Sequence, residues 1–523
     1  MWMQRQVACV VMMTAFTLCV SVSAQSKDIL QDRALNARLT GAALTWSVGK
    51  GRLRQAMTAL PKGGDLHSHL QGAVYAESWI EWAAEDGLCA DMKALALKFP
   101  EQDSCEESGW ITAAAAQEDD VKRRTLVNAM STRSYVPTLN WSGHNDFFDT
   151  FARMAATPAR FGDALAEVAA RAGHQNILYL ELMETFILPE LFPLLNGVKL
   201  NGDVRQDYTI IMNSAFGKEL PNLVANIKDR IKAGLDKKTT ILKCSENKKT
   251  PGCDVEIRLL HQVIRSFPPE HVFAQIILGW AVMAEEPMVV GLNLVAPEDG
   301  HTALRDYTYH MKMIDYLYRT LGEQNVSLHA GELTLGLVRP KNLQFHMWEA
   351  LNLGHAKRLG HAVDVVYERE SEELIQKLLD DDILIEINLT SNDIILGVSG
   401  AAHPINLYRD MDVAYALSTD DEGVSRIDLT HEYMRFYQTY DVPYFELRHS
   451  SRNSLTYSFL PGESMWLSKA CVKDITTAQN PGVKCADFLK GSRKAQLQWE
   501  LEQRFLHFEQ TLRIPTRKKT SFN

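Results

Sequence analysis

The sequence predicts an α/β chain: a closed (β/α)8 barrel, or TIM barrel, with helical insertions over its C-terminal mouth. Three observations carry this. Eight short β-like runs alternate with helical patterns. Histidines and carboxylates collect at the C-terminal ends of those runs. No Gly/Ser or Pro-rich linker divides the chain, and no internal repeat is visible.

The runs are Asp65–Leu70, Ile177–Leu182, Val272–Leu278, Val289–Leu294, Val326–His329, Arg358–His361, Ile383–Asn388 and Val413–Ser418. Between them, Glu370–Leu379 sets Leu374, Ile375, Leu378 and Leu379 on one helical face with charge opposite, and Leu343–Leu351 is similar. An open doubly wound sheet is the alternative. The first two runs lie over a hundred residues apart, so a mainly helical insertion spans about 75–170. A second is expected over about 186–270, carrying Cys244 and Cys253. Residues 61–515 then form one barrel domain, preceded by a helical segment at 25–60 and followed by a basic tail at 516–523.

The N-terminus has the form of a signal peptide, residues 1–24. Arg5 precedes an apolar Val7–Val20 and a small-residue Val22-Ser23-Ala24 site. A retained anchor and a lipoprotein at Cys19 are the alternatives. Export to the periplasm or the exterior is expected, with no membrane contact once the signal is removed. Outside the signal six cysteines remain. Nearest-neighbour pairing costs least in loop closure and predicts Cys89–Cys105, Cys244–Cys253 and Cys471–Cys485, against an alternative of six reduced thiols. The net charge of −10 argues against a nucleic-acid partner. The basic clusters at Lys237–Lys249 and Arg517–Lys519 read as a solvated loop and a tail.

The chemistry starts at Pro61-Lys62-Gly63-Gly64-Asp65-Leu66-His67-Ser68-His69-Leu70-Gln71-Gly72. Strand residues i and i+2 share a face, so His67 and His69 aim at one point. Later runs end in His329-Ala330-Gly331-Glu332, in Gly360-His361 and in Ser418-Thr419-Asp420-Asp421. Three histidines and a carboxylate have the number and chemistry of a zinc site with one open position. Singly, His329 is an ordinary core histidine, Asp420-Asp421 an acidic turn and Glu332 a helix-start carboxylate.

Together the motifs resemble the adenosine deaminase family of the amidohydrolase superfamily: PKGGDLHSHLQG, HAGE, RLGHA and STDD, in that order, over roughly residues 60–460. Val290–Asp299 and Asn453–Leu460 resemble segments of its secreted, adenosine-deaminase-related growth factor branch. The resemblance implies one zinc ion on His67, His69, His329 and Asp420. It implies a water-orienting His361, a proton-donating Glu332 and an Asp421 that bonds the purine. The reaction implied is hydrolysis of adenosine, and of 2′-deoxyadenosine, to the inosine product and ammonia. Gln71 stands where the family often has an Asp that contacts the ribose, and Ala296 where it has a glycine against the purine. Phe147, Phe148 and Phe151, with Trp141 nearby, have the spacing of helix core and are left out of the site. The alternatives are an amidohydrolase of another purine or cyclic amide, and a secreted binding or signalling protein without turnover. Zinc deaminases with P-C-x-x-C are excluded, because no C-x-x-C occurs. The oligomeric state is not encoded in any motif.

Overall fold

The computed structural model describes Asn36 and residues 49–511, apart from 156–157, 187, 472–473 and 476–479. The expected signal (1–24), most of the 25–60 segment and the 516–523 tail lie outside the described residues. Helix Gly49–Ala59 is the described part of the N-terminal segment.

Eight parallel strands close a barrel: β1 (Gly64–His69), β2 (Tyr179–Glu184), β3 (Glu256–Ile264), β4 (Val289–Val295), β5 (Ser327–Ala330), β6 (Arg358–His361), β7 (Leu384–Ile387) and β8 (Tyr415–Leu417). β1 to β4 pair in sequence order, as do β5 to β8. Two parallel bridges join these halves, Leu292 to Val326 and Ser68 to Asp420. At the second seam the amide of His69 donates to the Asp420 carbonyl (3.0 Å), and that of Asp420 to the His67 carbonyl (2.9 Å). Closure therefore brings the first and last motifs of the sequence together. The strands are buried on both faces, as parallel strands wrapped by helices must be.

One strand differs from expectation. Val272–Leu278 lies in a helix, Pro269–Glu285, and the third strand is β3. All seven residues of that apolar run are buried. Burial on every side erases the 3.6-residue period that would have marked a helix. Pro269 at the first helical position and Glu270 in the first turn were the overlooked start signals. The second insertion accordingly does not reach residue 270, because β3 lies within that range. In helix Ser371–Asp380, Leu374, Ile375 and Leu378 are buried as expected, while Leu379 is exposed.

Between β1 and β2 the chain is helical apart from a small antiparallel sheet of Cys89–Asp91, Ala96–Lys98 and Ile111–Thr112. The long helix Ala215–Ile241 occupies the β2–β3 connection. C-terminally, Tyr444–Thr456 and Arg493–Thr511 pack together and share the Arg452–Glu502 ion pair (2.6 Å). The structure contains the disulfides Cys89–Cys105, Cys244–Cys253 and Cys471–Cys485, each closing a local loop. No helix among the described residues is long and apolar enough to cross a membrane.

Candidate metal centre and substrate cavity

Four side chains from three strand ends converge at the C-terminal mouth. His67 Nε2 lies 3.0 Å from His329 Nε2 and 3.4 Å from Asp420 Oδ1. His69 Nε2 lies 3.2 Å from His329 Nε2 and 3.3 Å from the same Asp420 oxygen. Ligands about 2.1 Å from a tetrahedral ion stand roughly 3.4 Å apart, close to these four separations.

The opposite edge of each ring explains why these nitrogens face one another. His67 Nδ1 donates to Glu386 Oε2 (2.6 Å), His69 Nδ1 to Gln262 Oε1 (2.8 Å) and His329 Nδ1 to Asn293 Oδ1 (2.8 Å). With Nδ1 of each ring donating to these partners, the neutral rings turn their Nε2 atoms toward one another and toward a carboxylate, the presentation in which imidazoles ligate a cation. Glu386 is itself held by Arg358 (2.6 Å) and Ser327 (2.9 Å), and Arg358 also reaches Glu181 (2.6 Å), all buried beneath the site. Burial alone would raise the Glu386 carboxyl, but Arg358 and His67 outweigh it and hold it at about 2. Ser391 donates to the second oxygen of Asp420 (2.6 Å).

The remaining expected residues surround this cluster. Glu332 follows a turn that Glu298 grips, accepting the amides of Gly331 (3.1 Å) and Glu332 (2.8 Å). Burial, then the nearby charges of Asp420 and Glu298, push the Glu332 carboxyl well above its usual range. These surroundings favour its protonated form, which can donate. His361 Nδ1 lies 3.5 Å from Glu332 and accepts from the Asn392 amide (2.8 Å), which His403 orients (3.0 Å). Burial first of all lowers His361 to about 3, so its ring is neutral. Burial and the charge on Asp420 raise Asp421 to about 8, and its Oδ1 is buried without a hydrogen-bond partner.

A cavity of about 320 Å³ opens onto this cluster. Its floor is His69, His329, Glu332, Asp420 and Asp421, and Gln71 and Ala296 line it. Ala296 has φ +81°, left-handed backbone that alanine rarely adopts, and Arg265 holds its carbonyl (3.0 Å). The aromatic residues left out of the site are a correction: Phe147, Phe148 and Phe151 form one wall. Phe147 is also core, packed with Ile395 and Val424, so its helical spacing signalled burial without saying against what. Trp141 does not line the cavity. Gln262, Ile264, Pro297 and Ile395 complete the lining and were not anticipated. Nor were Glu386, Asn293 and Glu298, although a carboxylate within Ile383–Asn388 and an amide within Val289–Leu294 were visible as polar residues in apolar strands.

Residues 221–469 match the family model described as adenosine deaminase. The adenosine deaminase of Escherichia coli is 27% identical over 184 residues, 35% of this chain and 50% of that protein. That of Shewanella loihica is 28% identical over 249 residues, 47% of this chain and 65% of that protein. The chain spans about half the length of the curated relatives it matches. Among solved structures, an adenine deaminase from Arthrobacter aurescens aligns with TM-score 0.52 at 15% identity, over 86% of this chain and 99% of that one. An amidohydrolase from Burkholderia ambifaria, solved with bound zinc, aligns with TM-score 0.51 at 15% identity, over 78% and 88%. These two show a shared fold.

Proposed function

From a chain that is similar to the adenosine deaminase family over residues 221–469, we infer a metal-dependent hydrolase that deaminates adenosine and 2′-deoxyadenosine, giving the inosine product and ammonia. The observation that carries this is the convergence of three imidazoles on one carboxylate, with His67 and His69 Nε2 each 3.0–3.4 Å from His329 Nε2 and from Asp420 Oδ1, beside a buried Glu332 whose surroundings favour its protonated form.

His67, His69, His329 and Asp420 would hold one divalent ion, for which nitrogen donors and a single carboxylate favour zinc. When bound, such an ion supplies a water acidified enough to attack near neutral pH. Glu332 donates its proton to the ring nitrogen beside the amino-bearing carbon, making that carbon electrophilic. His361, whose Nδ1 accepts from Asn392 and whose neutral ring therefore carries its proton on Nε2, orients the attacking water and steadies the charge that develops. Asp421 uses its unpartnered oxygen on the other purine ring. Phe147, Phe148 and Phe151 cover an apolar ring face. Gln71 offers amide groups to the sugar, and the Ala296 backbone approaches the base.

The cavity supports a nucleoside over a nucleotide. No lysine or arginine is among its lining residues, and a 5′-phosphate would meet carboxylates and phenyl rings instead of a cation. Export through residues 1–24, and placement in the secreted growth-factor-related branch, are part of the same reading. The three disulfides support them, since such bonds persist in oxidising compartments.

The test is a purine panel followed by the adenosine absorbance change on the purified, metal-analysed protein. Adenosine should turn over, and Glu332→Gln should lower kcat by about 10²–10⁴-fold with the metal content unchanged. Faster turnover of AMP, adenine or a non-purine amide would overturn the substrate assignment. Full activity in Glu332→Gln would overturn the mechanism.

A further inference from the structure

The aromatic wall of the cavity is carried by helix Gly143–Asp149 and the turn after it, Phe151–Arg153, which belong to the insertion and not to the barrel. A Cβ built on Gly143 would stand 1.9 Å from the Ile394 carbonyl, so the start of this helix rests directly on helix Leu389–Leu396 behind β7. Ser142 and Asn145 cap it reciprocally. These contacts hold one side of the helix.

The other side is tied across the mouth. His144 Nε2 and Asp299 Oδ1 are 2.8 Å apart although 155 residues separate them in sequence. The His144 ring also lies 4.7 Å from that of Phe148, which lines the cavity. Asp299 follows Pro297, another lining residue, and is adjacent to Glu298, whose carboxylate grips the turn carrying Glu332. One side-chain contact thus joins the phenyl wall to the loop after β4. Neither partner lines the cavity, and both are about four-fifths buried (17% and 19% exposed), so solvent only partly screens the bond.

We propose that His144 and Asp299 are a positioning pair that sets how closely the cavity wraps a nucleoside, acting on substrate affinity and not on the chemical step. The proposal rests on the nucleoside reading for its substrate, though the tie itself does not. A hydrogen bond holding a wall in place favours ground state and transition state alike. Its loss therefore raises KM and leaves kcat.

The experiment uses the full, metal-loaded chain with His144→Ala, Asp299→Ala, the double variant and His144→Gln. Each single alanine variant should raise the KM for adenosine by about tenfold with kcat within about twofold. The double variant should be no worse than either single one, because both break the same bond. His144→Gln, whose amide can still donate to Asp299, should recover most of the affinity. Hydrogen–deuterium exchange without substrate gives a second readout, with faster exchange across residues 142–153 in the alanine variants. If the wild-type protein deaminates no purine, the functional reading fails while the exchange result still judges the tie. Unchanged exchange, additive variants, or a fall in kcat at constant KM would overturn the proposal.

Discussion

Replacing Glu386 by glutamine would test how the barrel core prepares the metal site. The carboxylate is fully buried and accepts three bonds, from Arg358 Nε, Ser327 Oγ and His67 Nδ1. Glutamine matches it in shape but offers one acceptor oxygen and one NH₂ group. If the NH₂ faces His67, that ring must move its proton to Nε2 and can no longer ligate there. If the NH₂ faces Arg358, two donors confront each other in the core. Both outcomes are costly. Losing the partner that orients a metal-binding histidine lowers affinity 10- to 100-fold, or about 1.4–2.7 kcal/mol. Removing one charge from a buried pair costs about 3 kcal/mol or more, and Arg358 would keep only Glu181. The assay is competition for zinc against a chelator of known affinity, with thermal unfolding in excess chelator to isolate the stability term. Glu446→Gln, which loosens the Arg409 pair (2.6 Å) far from the site, is the control. Zinc affinity within twofold of wild type would refute the reasoning.

Gly72→Ala should lower kcat/KM by about 100-fold with metal content intact, because the new methyl group would stand 1.5 Å from Asp421 Oδ1 and displace it; steady-state kinetics beside metal analysis checks this. Burial raises Glu184 from 4.5 to about 7 even with Arg230 2.9 Å away. The folded protein thus holds that proton more tightly than the unfolded chain, and the stability it adds is complete below about pH 4.5 and lost as pH rises through 7. Glu184→Gln should therefore gain on wild type by up to about 3 kcal/mol in denaturant titrations between pH 4 and 8, whereas a constant difference would contradict the linkage. Cys89→Ser with Cys105→Ser opens a loop of 16 residues and should cost about 3 kcal/mol by thermal unfolding, with kcat unchanged since the loop lies outside the barrel.

The site was more legible in the sequence than the scaffold that supports it. His67, His69, His329, Glu332, His361, Asp420 and Asp421 stand at strand ends, where apolar alternation stops and chemistry is conspicuous. Their convergence needed only a closed barrel, and the Ser68–Asp420 seam provides it. β3 was missed because Arg258, His261 and Gln262 interrupt its apolar pattern, whereas the buried helix at Val272 has no interruption. Partners are harder to read than positions. Glu386 is visibly odd in its strand, yet nothing local says that it serves a histidine 319 residues away. The disulfides were legible for the opposite reason: each joins cysteines no more than 16 residues apart.

Left-handed backbone recurs around the mouth, with φ +81° at Ala296, +81° at Gly331, +68° at His361 and +60° at Asp420. Each such residue stands at or just past the C-terminal end of a strand, where the extended backbone breaks off. Held outside glycine, the left-handed conformation costs on the order of 1 kcal/mol or more at each site. It is also a filter on future sequences. Laboratory evolution that randomises 296, 361 or 420 will recover mainly Gly, Asn, Asp, Ala and His, and rarely valine, isoleucine or threonine. Handedness at four hinge points thus narrows which new reactions this scaffold can be taught.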